Sequence, residues 1–177
     1  MNRPLLLAAV AASLALPGCA ADRTASEAAA TGDMTPTARE AYVGMAAASD
    51  MFEIQSSQIA RTRGQAQAVK DFAQMMIDHH TQTTAQLTAA ARAAGVTPPM
   101  PALLPMQSRM MKELEAAAGA DFDRIYLRQQ VEAHEMALAL HGNYARGGDA
   151  PALRAVASAA TPVVQQHLDR ARQLAGG

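Results

Sequence analysis

Four ionisable side chains fall where helical periodicity places the interior of the protein: Glu53, His80, His134 and His167. At about 100° per residue, each one lies on the apolar face of a different predicted helix. An ionisable group in an apolar core is costly unless it is paired. Three imidazoles and one carboxylate suit one divalent first-row transition-metal ion. The pattern predicts a metal site, although a single buried histidine is more often a hydrogen-bonded core residue.

The spacing of these residues along the chain is consistent with one shared site. In each predicted hairpin, the second residue lies about six residues farther from the turn than the first. The two pairs are Glu53 with His80 and His134 with His167. Six residues span about 9 Å of helix, and side chains that lean toward their own helix N-terminus shorten that separation. Equal offsets in the two hairpins are what convergence at one level of a bundle requires.

Two further histidines lie near the predicted site. His141 follows His134 by seven residues on the same helical face, and His79 lies at the edge of the face that holds His80. Both are candidate additional ligands, although an extra core histidine is the preferred interpretation of His141. Four polar residues beside the site histidines are interpreted as solvated rather than as partners of the ligands: Asp78, His79, Glu132 and Glu135.

Other chemistries have little support in the sequence. Soft Cu(I) ligation by methionine is one alternative, but helical methionines more often fill the core. The residues concerned include Met75, Met76, Met110 and Met111. The chain has one cysteine, no Gly-rich phosphate loop and no Gly-x-Ser-x-Gly motif, so no catalytic residues are assigned. A net charge of -1 without a long basic run gives no electrostatic support to a nucleic-acid partner.

The elements that must position these residues are helices. Half of the 177 residues are hydrophobic but only 3% are aromatic, and alanine, the best helix former, dominates. Glycines and prolines separate long helical segments near residues 35–62, 65–94, 121–146 and 149–176. Caps are expected at Thr35, Asp121 and Asp149. The pattern predicts an all-α four-helix bundle of two helical hairpins over residues 35–177, with an extra short helix over 103–118 in the central connection.

The N-terminal residues have the pattern of an export signal. Arg3 precedes an apolar run over residues 5–16, which is too short to cross a bilayer of about 30 Å. Leu16-Pro17-Gly18-Cys19 follows and resembles a bacterial lipobox, with Cys19 as the only cysteine. This resemblance implies a signal peptide over 1–18, lipidation of Cys19, a flexible tether over 19–34 and membrane anchoring. The alternative is a plain signal peptide that is cut nearby.

Short motifs surround the four ionisable residues of the predicted site. They occupy residues 52–53, 72–81, 122–126, 130–135 and 167–171. These stretches resemble the family called domain of unknown function 4142, and the likeness extends over about residues 38–174. The family's recurrent glutamate and three histidines fall on Glu53, His80, His134 and His167. Residues 72–80 also resemble a second family, domain of unknown function 305.

The resemblance has implications for fold and location. It implies a ferritin-like helical bundle and a protein of the periplasm or outer membrane, often a lipoprotein. Ala20 after Cys19, rather than Asp, favours the outer membrane and the periplasmic side of the envelope. Di-iron ferritin-like sites use Glu-x-x-His pairs, whereas Glu132 lies two residues before His134 and Ile77 lies three before His80. A di-iron oxidase is therefore disfavoured.

Three functions remain open from the sequence. The preferred one is a lipid-anchored, ferritin-like metal-binding protein of the cell envelope without an assigned enzymatic activity. The second is a metal-free helical envelope protein that acts through protein interaction, with the histidines as hydrogen-bonded core residues. A redox enzyme is the least favoured.

Overall fold

The computed structural model describes residues 36–176, and within them all regular structure is α-helical. The helices are α1 (Arg39–Arg63), α2 (Gln67–Ala93), α3 (Pro105–Ala116), α4 (Ala120–Gly147) and α5 (Pro151–Ala175). The predicted all-α class and the five predicted segments are confirmed, with bounds that differ by a few residues. Among the described helices, none combines the length and apolar character that a membrane span requires. The interpretations of residues 1–34, of Cys19 and of the Thr35 cap lie outside the described residues.

Two glycines permit close turns at the ends of helices. Gly95 has φ +75°, and it follows α2 with backbone bonds from Val96 N–H to Ala91 and from Gly95 N–H to Arg92. This arrangement is a Schellman motif, which favours glycine at the left-handed position. At Gly148, between α4 and α5, a Cβ would stand 2.5 Å from the Tyr144 ring, so a side chain has no room there.

The predicted aspartate caps at positions 121 and 149 are wrong. α4 begins after Gly119, and Asp121 instead accepts hydrogen bonds from the exposed Arg124. α5 begins after Ala150, because the Asp149 carboxylate bonds to Arg39 and to the Tyr144 hydroxyl. The competitor for Asp121 is a neighbour on its own helix, whereas the competitor for Asp149 is Arg39, which the fold brings near.

Asp123, which was not predicted as a cap, stabilises the connection between α1 and α2. Asp123 of α4 accepts hydrogen bonds from the backbone N–H groups of Gln65 and Ala66, immediately before α2, at 2.9 and 2.8 Å. These donors have no partner within their own helix, so the contact stabilises the start of α2 from across the bundle.

The four long helices form an up–down–down–up bundle. α1 packs against α2 and α4 packs against α5 as two hairpins, and the hairpins meet through α2 with α5 and α1 with α4. The start of α1 and the end of α4 contribute to the same apolar cluster, so these helices run antiparallel. The linker after α2, together with α3, returns the chain to the opposite end of the bundle. One long crossover of this kind is typical of ferritin-like bundles.

Two apolar clusters fill the ends of the bundle and leave a polar layer between them. The first cluster contains Tyr42, Leu87, Leu140, Tyr144 and Leu153. The second contains Phe72, Met76, Leu114, Phe122 and Tyr126. The buried polar residues of the middle layer are Asp50, Glu53, Ser56, Ser57, His80, Gln130, His134 and His167. The clusters hold the helices in register, which places this layer at one level.

The short helix α3 gives α4 a second buried side. A third cluster joins Met110 and Met111 of α3 to Phe52 and Ala133, and Met136 packs against it. The sequence pattern predicts Leu138 on the inward face and Met136 outside. That expectation is wrong, since both residues are only partly buried and the fully buried leucine of this region is Leu140. A single inward face is expected only when no further helix covers the other side.

Candidate metal centre

Three histidines from three helices converge in the middle layer. His80 of α2, His134 of α4 and His167 of α5 are 1–4% exposed. Their ring centroids form a nearly equilateral triangle, 5.8 Å between His80 and His134 and 5.4 Å for each of the other two pairs. One ring nitrogen from each lies within 4.8 Å of the others, a spacing at which a single ion can be bound.

Each of the three imidazoles is oriented by a hydrogen bond at one nitrogen. His80 Nδ1–H donates to Asp50 Oδ1 at 2.8 Å, and His134 Nδ1–H donates to the Gln130 carbonyl oxygen at 2.8 Å. His167 Nε2 shares a hydrogen bond of 2.8 Å with Nδ1 of His79. Carboxylates and backbone carbonyls are the usual outer partners of metal-binding histidines, because they fix the tautomer and raise the basicity of the other nitrogen.

The opposite nitrogens of the same rings are buried without a partner. Within the described part of the chain, His80 Nε2, His134 Nε2 and His167 Nδ1 have no hydrogen bond. A buried polar atom without a partner costs about 1–3 kcal/mol, so three such atoms on neighbouring rings are an unstable arrangement for an apolar core. A bound cation would give all three a partner at once.

Glu53 of α1 lies beside this triangle of histidines. Its side chain is 1% exposed, both carboxylate oxygens lack a hydrogen-bond partner among the described residues, and Oε1 stands 3.6 Å from His134 Nδ1. The group within 4.8 Å consists of the three histidines, so Glu53 is adjacent to it rather than a member. Burial raises the pKa of Glu53 to about 7, against the opposing effect of the His80 charge.

The electrostatics favour neutral imidazoles at two of the three positions. Burial first, and then the nearby His80, lower the pKa of His134 to about 3 and that of His167 to about 2. Burial also opposes the charged form of His80, but the hydrogen bond and charge of Asp50 outweigh it and raise the His80 pKa. Metal ions bind the neutral imidazole, so His134 and His167 present free lone pairs at neutral pH.

Asp50 is the site residue that the sequence analysis missed. Besides the His80 bond, its carboxylate accepts hydrogen bonds from the hydroxyls of Thr83 and Thr84, each at 3.0 Å. The available signal was its position three residues before Glu53, which places both carboxylates on one helical face. The two threonines lie three and four residues after His80, which places them on the same face of their helix as His80.

The remaining predicted residues have different environments. His141 Nδ1 lies 3.0 Å from the Tyr42 hydroxyl, and His141 is not a member of the group of three, although it lines a small cavity together with His80 and His167. His79 is exposed yet bonded to His167, so it is a partner and not simply solvated. The other expected solvated residues, Asp78, Glu132 and Glu135, are exposed.

Comparison with known proteins places the chain in a family. Residues 23–174 match the family described as Domain of unknown function (DUF4142). The chain belongs to the DUF4142 family. The family resemblance seen in the sequence is therefore confirmed, whereas the likeness of residues 72–80 to domain of unknown function 305 is untested. No curated protein matches this DUF4142 chain.

Two solved structures share the fold of this DUF4142 protein. CopM in the Cu(II)-bound form aligns with a TM-score of 0.66 and 16% identity, over 78% of this chain and 96% of CopM. CopM in the Ag-bound form aligns with a TM-score of 0.62 and 15% identity, over 77% and 93%. At such identities the likeness supports the helical-bundle fold and leaves ligands and function to be argued from this chain.

Proposed function

We propose that this chain is a metal-binding protein of the cell envelope that holds one transition-metal ion between His80, His134 and His167, with Glu53 as a fourth ligand. The observation that carries the proposal is the convergence of three buried imidazole rings, each of which has one nitrogen without a hydrogen-bond partner among the described residues. A hydrogen-bonded structural cluster would pair these atoms with one another or with neighbours. The unpaired arrangement favours the metal-binding function over a metal-free interaction protein.

The donor set favours a late divalent ion of the first transition row. Imidazole nitrogen suits copper, zinc and nickel, and the general order of affinities places Cu(II) above the others. The two similar structures were determined with Cu(II) and with silver bound. We therefore expect Cu(II) to bind this chain more tightly than Zn(II), in one equivalent.

Titration of the purified full chain tests this proposal. One equivalent of Cu(II) should bind, and His134→Gln should weaken binding by more than about 100-fold, since losing even an outer partner of a ligand costs about 10- to 100-fold. His141→Gln is the matched control, because His141 lies on the same helix and bonds to Tyr42 outside the group of three. Wild-type protein that binds no ion, or equal losses in both variants, would refute the proposed site.

We also propose that the chain is anchored by lipid at Cys19 on the periplasmic side of the envelope, in the outer membrane. The support is the lipobox-like Leu16-Pro17-Gly18-Cys19. Cys19→Ala should release the protein from the membrane fraction, and intact mass should show lipid on the wild type only. A variant that stays in the membrane, with a wild type that carries no lipid, would contradict the anchor.

A further inference from the structure

His79 and His167 form a pair that connects the buried histidine group to the protein surface. His79 is exposed, whereas His167 is 2% exposed. Their rings stack at 5.1 Å with an interplanar angle of 23°, and His79 Nδ1 lies 2.8 Å from His167 Nε2. His167 Nδ1, the other nitrogen of the inner ring, is buried and has no hydrogen-bond partner among the described residues. The His167 ring thus has one nitrogen bonded to the exposed His79 and the other nitrogen buried.

The other two histidines of the group have no such connection. The outer nitrogen of His80 is held by Asp50, which is itself buried and bonded to two threonines. The outer nitrogen of His134 is held by a backbone carbonyl of its own helix. A carboxylate held in this way and a helical carbonyl are orienting partners that keep their rings in place. Among the three, His167 alone is bonded to a residue that is both exposed and able to bind a metal ion.

We propose that His79 is the entry residue of the metal site: an ion from solution binds first to His79 and His167 and is then carried inward by His167. This inference rests on the proposed function. Two nitrogens about 2.8 Å apart match neighbouring donors on one ion at about 2.0 Å from each. The proton that His167 Nε2 shares with His79 moves through water to His167 Nδ1, so both rings stay neutral imidazoles while their facing nitrogens bind the ion, and no electron is transferred. Rotation of the His167 side chain then exchanges the His79 contact for the inner ligands.

The helix that carries His167 has a local weakness near this residue. Pro162 lies inside α5, five residues before His167. Proline has no backbone N–H, so the helical hydrogen bond to the carbonyl of Ser158 is absent and the helix is easier to deform there. This weakness lowers the cost of the small backbone adjustment that rotation of His167 requires.

His79→Asn separates the entry role from a role in affinity. The asparagine Oδ1 can stand where His79 Nδ1 stands and accept the His167 hydrogen bond, but it is a poor ligand for copper. We expect Cu(II) association in stopped flow to slow at least fivefold. Removal by excess EDTA should slow by the same factor, with the dissociation constant unchanged within about twofold. Asp78→Asn is the control, since it alters the neighbouring exposed residue and should leave both rates within twofold.

The outcomes distinguish this inference from the function on which it rests. If His79→Asn loads and releases copper at wild-type rates, His79 is not the entry residue, although the buried site stands. Faster release with unchanged association would make His79 a contributor to affinity and would also overturn the entry role. If wild-type protein binds no copper at equilibrium, the proposed function itself fails.

Discussion

Which nitrogen of each imidazole retains its proton is decided by a few neighbouring atoms. Asp50 fixes the proton of His80 on Nδ1 and leaves Nε2 free, and the Gln130 carbonyl does the same for His134. The Asp50 charge also stabilises the protonated form of His80 and raises its pKa. Protons therefore compete with an ion more strongly at His80 than at His134, whose pKa is lowered to about 3.

Asp50→Asn tests this orienting role. The amide can still accept a hydrogen bond, but it lacks the charge that makes His80 a more basic ligand. We expect Cu(II) affinity to fall about 10- to 100-fold, as for other outer partners of metal ligands. The His80 pKa should also fall, because the Asp50 charge that raises it is removed. Competition with a coloured chelator gives the affinity, and histidine resonances give the pKa.

Glu132→Gln is the control for Asp50→Asn. It removes one negative charge from an exposed position near His134. Equal losses of affinity in the two variants would mean that overall charge, and not the bond to His80, is what Asp50 supplies.

Among the elements, α4 is packed against three other helices. It packs against α5 and α1, and α3 also covers it through Met110 and Met111. The contact is reinforced by Gln129, whose side-chain N–H donates to the Met110 carbonyl and to Glu113. The crossover therefore does more than return the chain, since it buries a side of α4 close to the metal-site layer.

Leu140→Ala and Leu138→Ala compare two leucines two residues apart on α4. Leu140 is fully buried in the apolar cluster with Tyr42 and Tyr144, whereas Leu138 is partly exposed. We expect Leu140→Ala to lower the free energy of unfolding by about 2–5 kcal/mol, and Leu138→Ala to lower it by clearly less. Urea unfolding of the two variants gives these values. A larger loss for Leu138→Ala would mean that α4 is rotated relative to the present structure.

Across the whole molecule, a layer of ionisable groups separates two apolar clusters. His134, His141 and His167 have lowered pKa values in the folded state, about 3, 4 and 2, chiefly through burial. Below pH 6.5 these histidines bind protons in the unfolded chain but not in the folded protein. Their contribution to stability is therefore present above pH 6.5 and is lost as the pH falls. Glu53 has a raised pKa, so its contribution is present below pH 4.5 and lost as the pH rises toward 7.

Metal-free protein should therefore lose stability in acid. Between pH 6.5 and 4.5 the three histidines and Glu53 act in opposite directions, with a net difference of about two protons. This corresponds to at most about 2.7 kcal/mol per pH unit, or roughly 5–10 °C in the melting temperature. Thermal unfolding followed by circular dichroism measures the change. His167→Gln should make the fall shallower, and a melting temperature that is constant over this range would contradict the buried, neutral histidines.

The sequence by itself indicates the helices and places His80, His134 and His167 on faces that meet. Glycine and proline positions divide the chain, and the periodicity of apolar residues places one ionisable group on each long helix. The prediction that the two ionisable residues of each hairpin lie near one level was correct in direction, but it overestimated their separation along the bundle axis. The observed turns occupy residues 64–66 and 148–150, so their centres lie later in the chain than assumed. Each offset falls from six residues to three, about 4.5 Å, which brings the side chains closer to one level.

Only the tertiary structure decided which neighbours hold the four groups in place. Asp50 reaches His80, and His79 reaches His167, across pairs of helices whose relative rotation no single helix encodes. The burial of Met136 by α3, and the loss of the Asp149 cap to Arg39, have the same origin. Periodicity within a helix reports which face is apolar. It does not report which partner from another helix arrives there, because that depends on packing summed over the whole bundle.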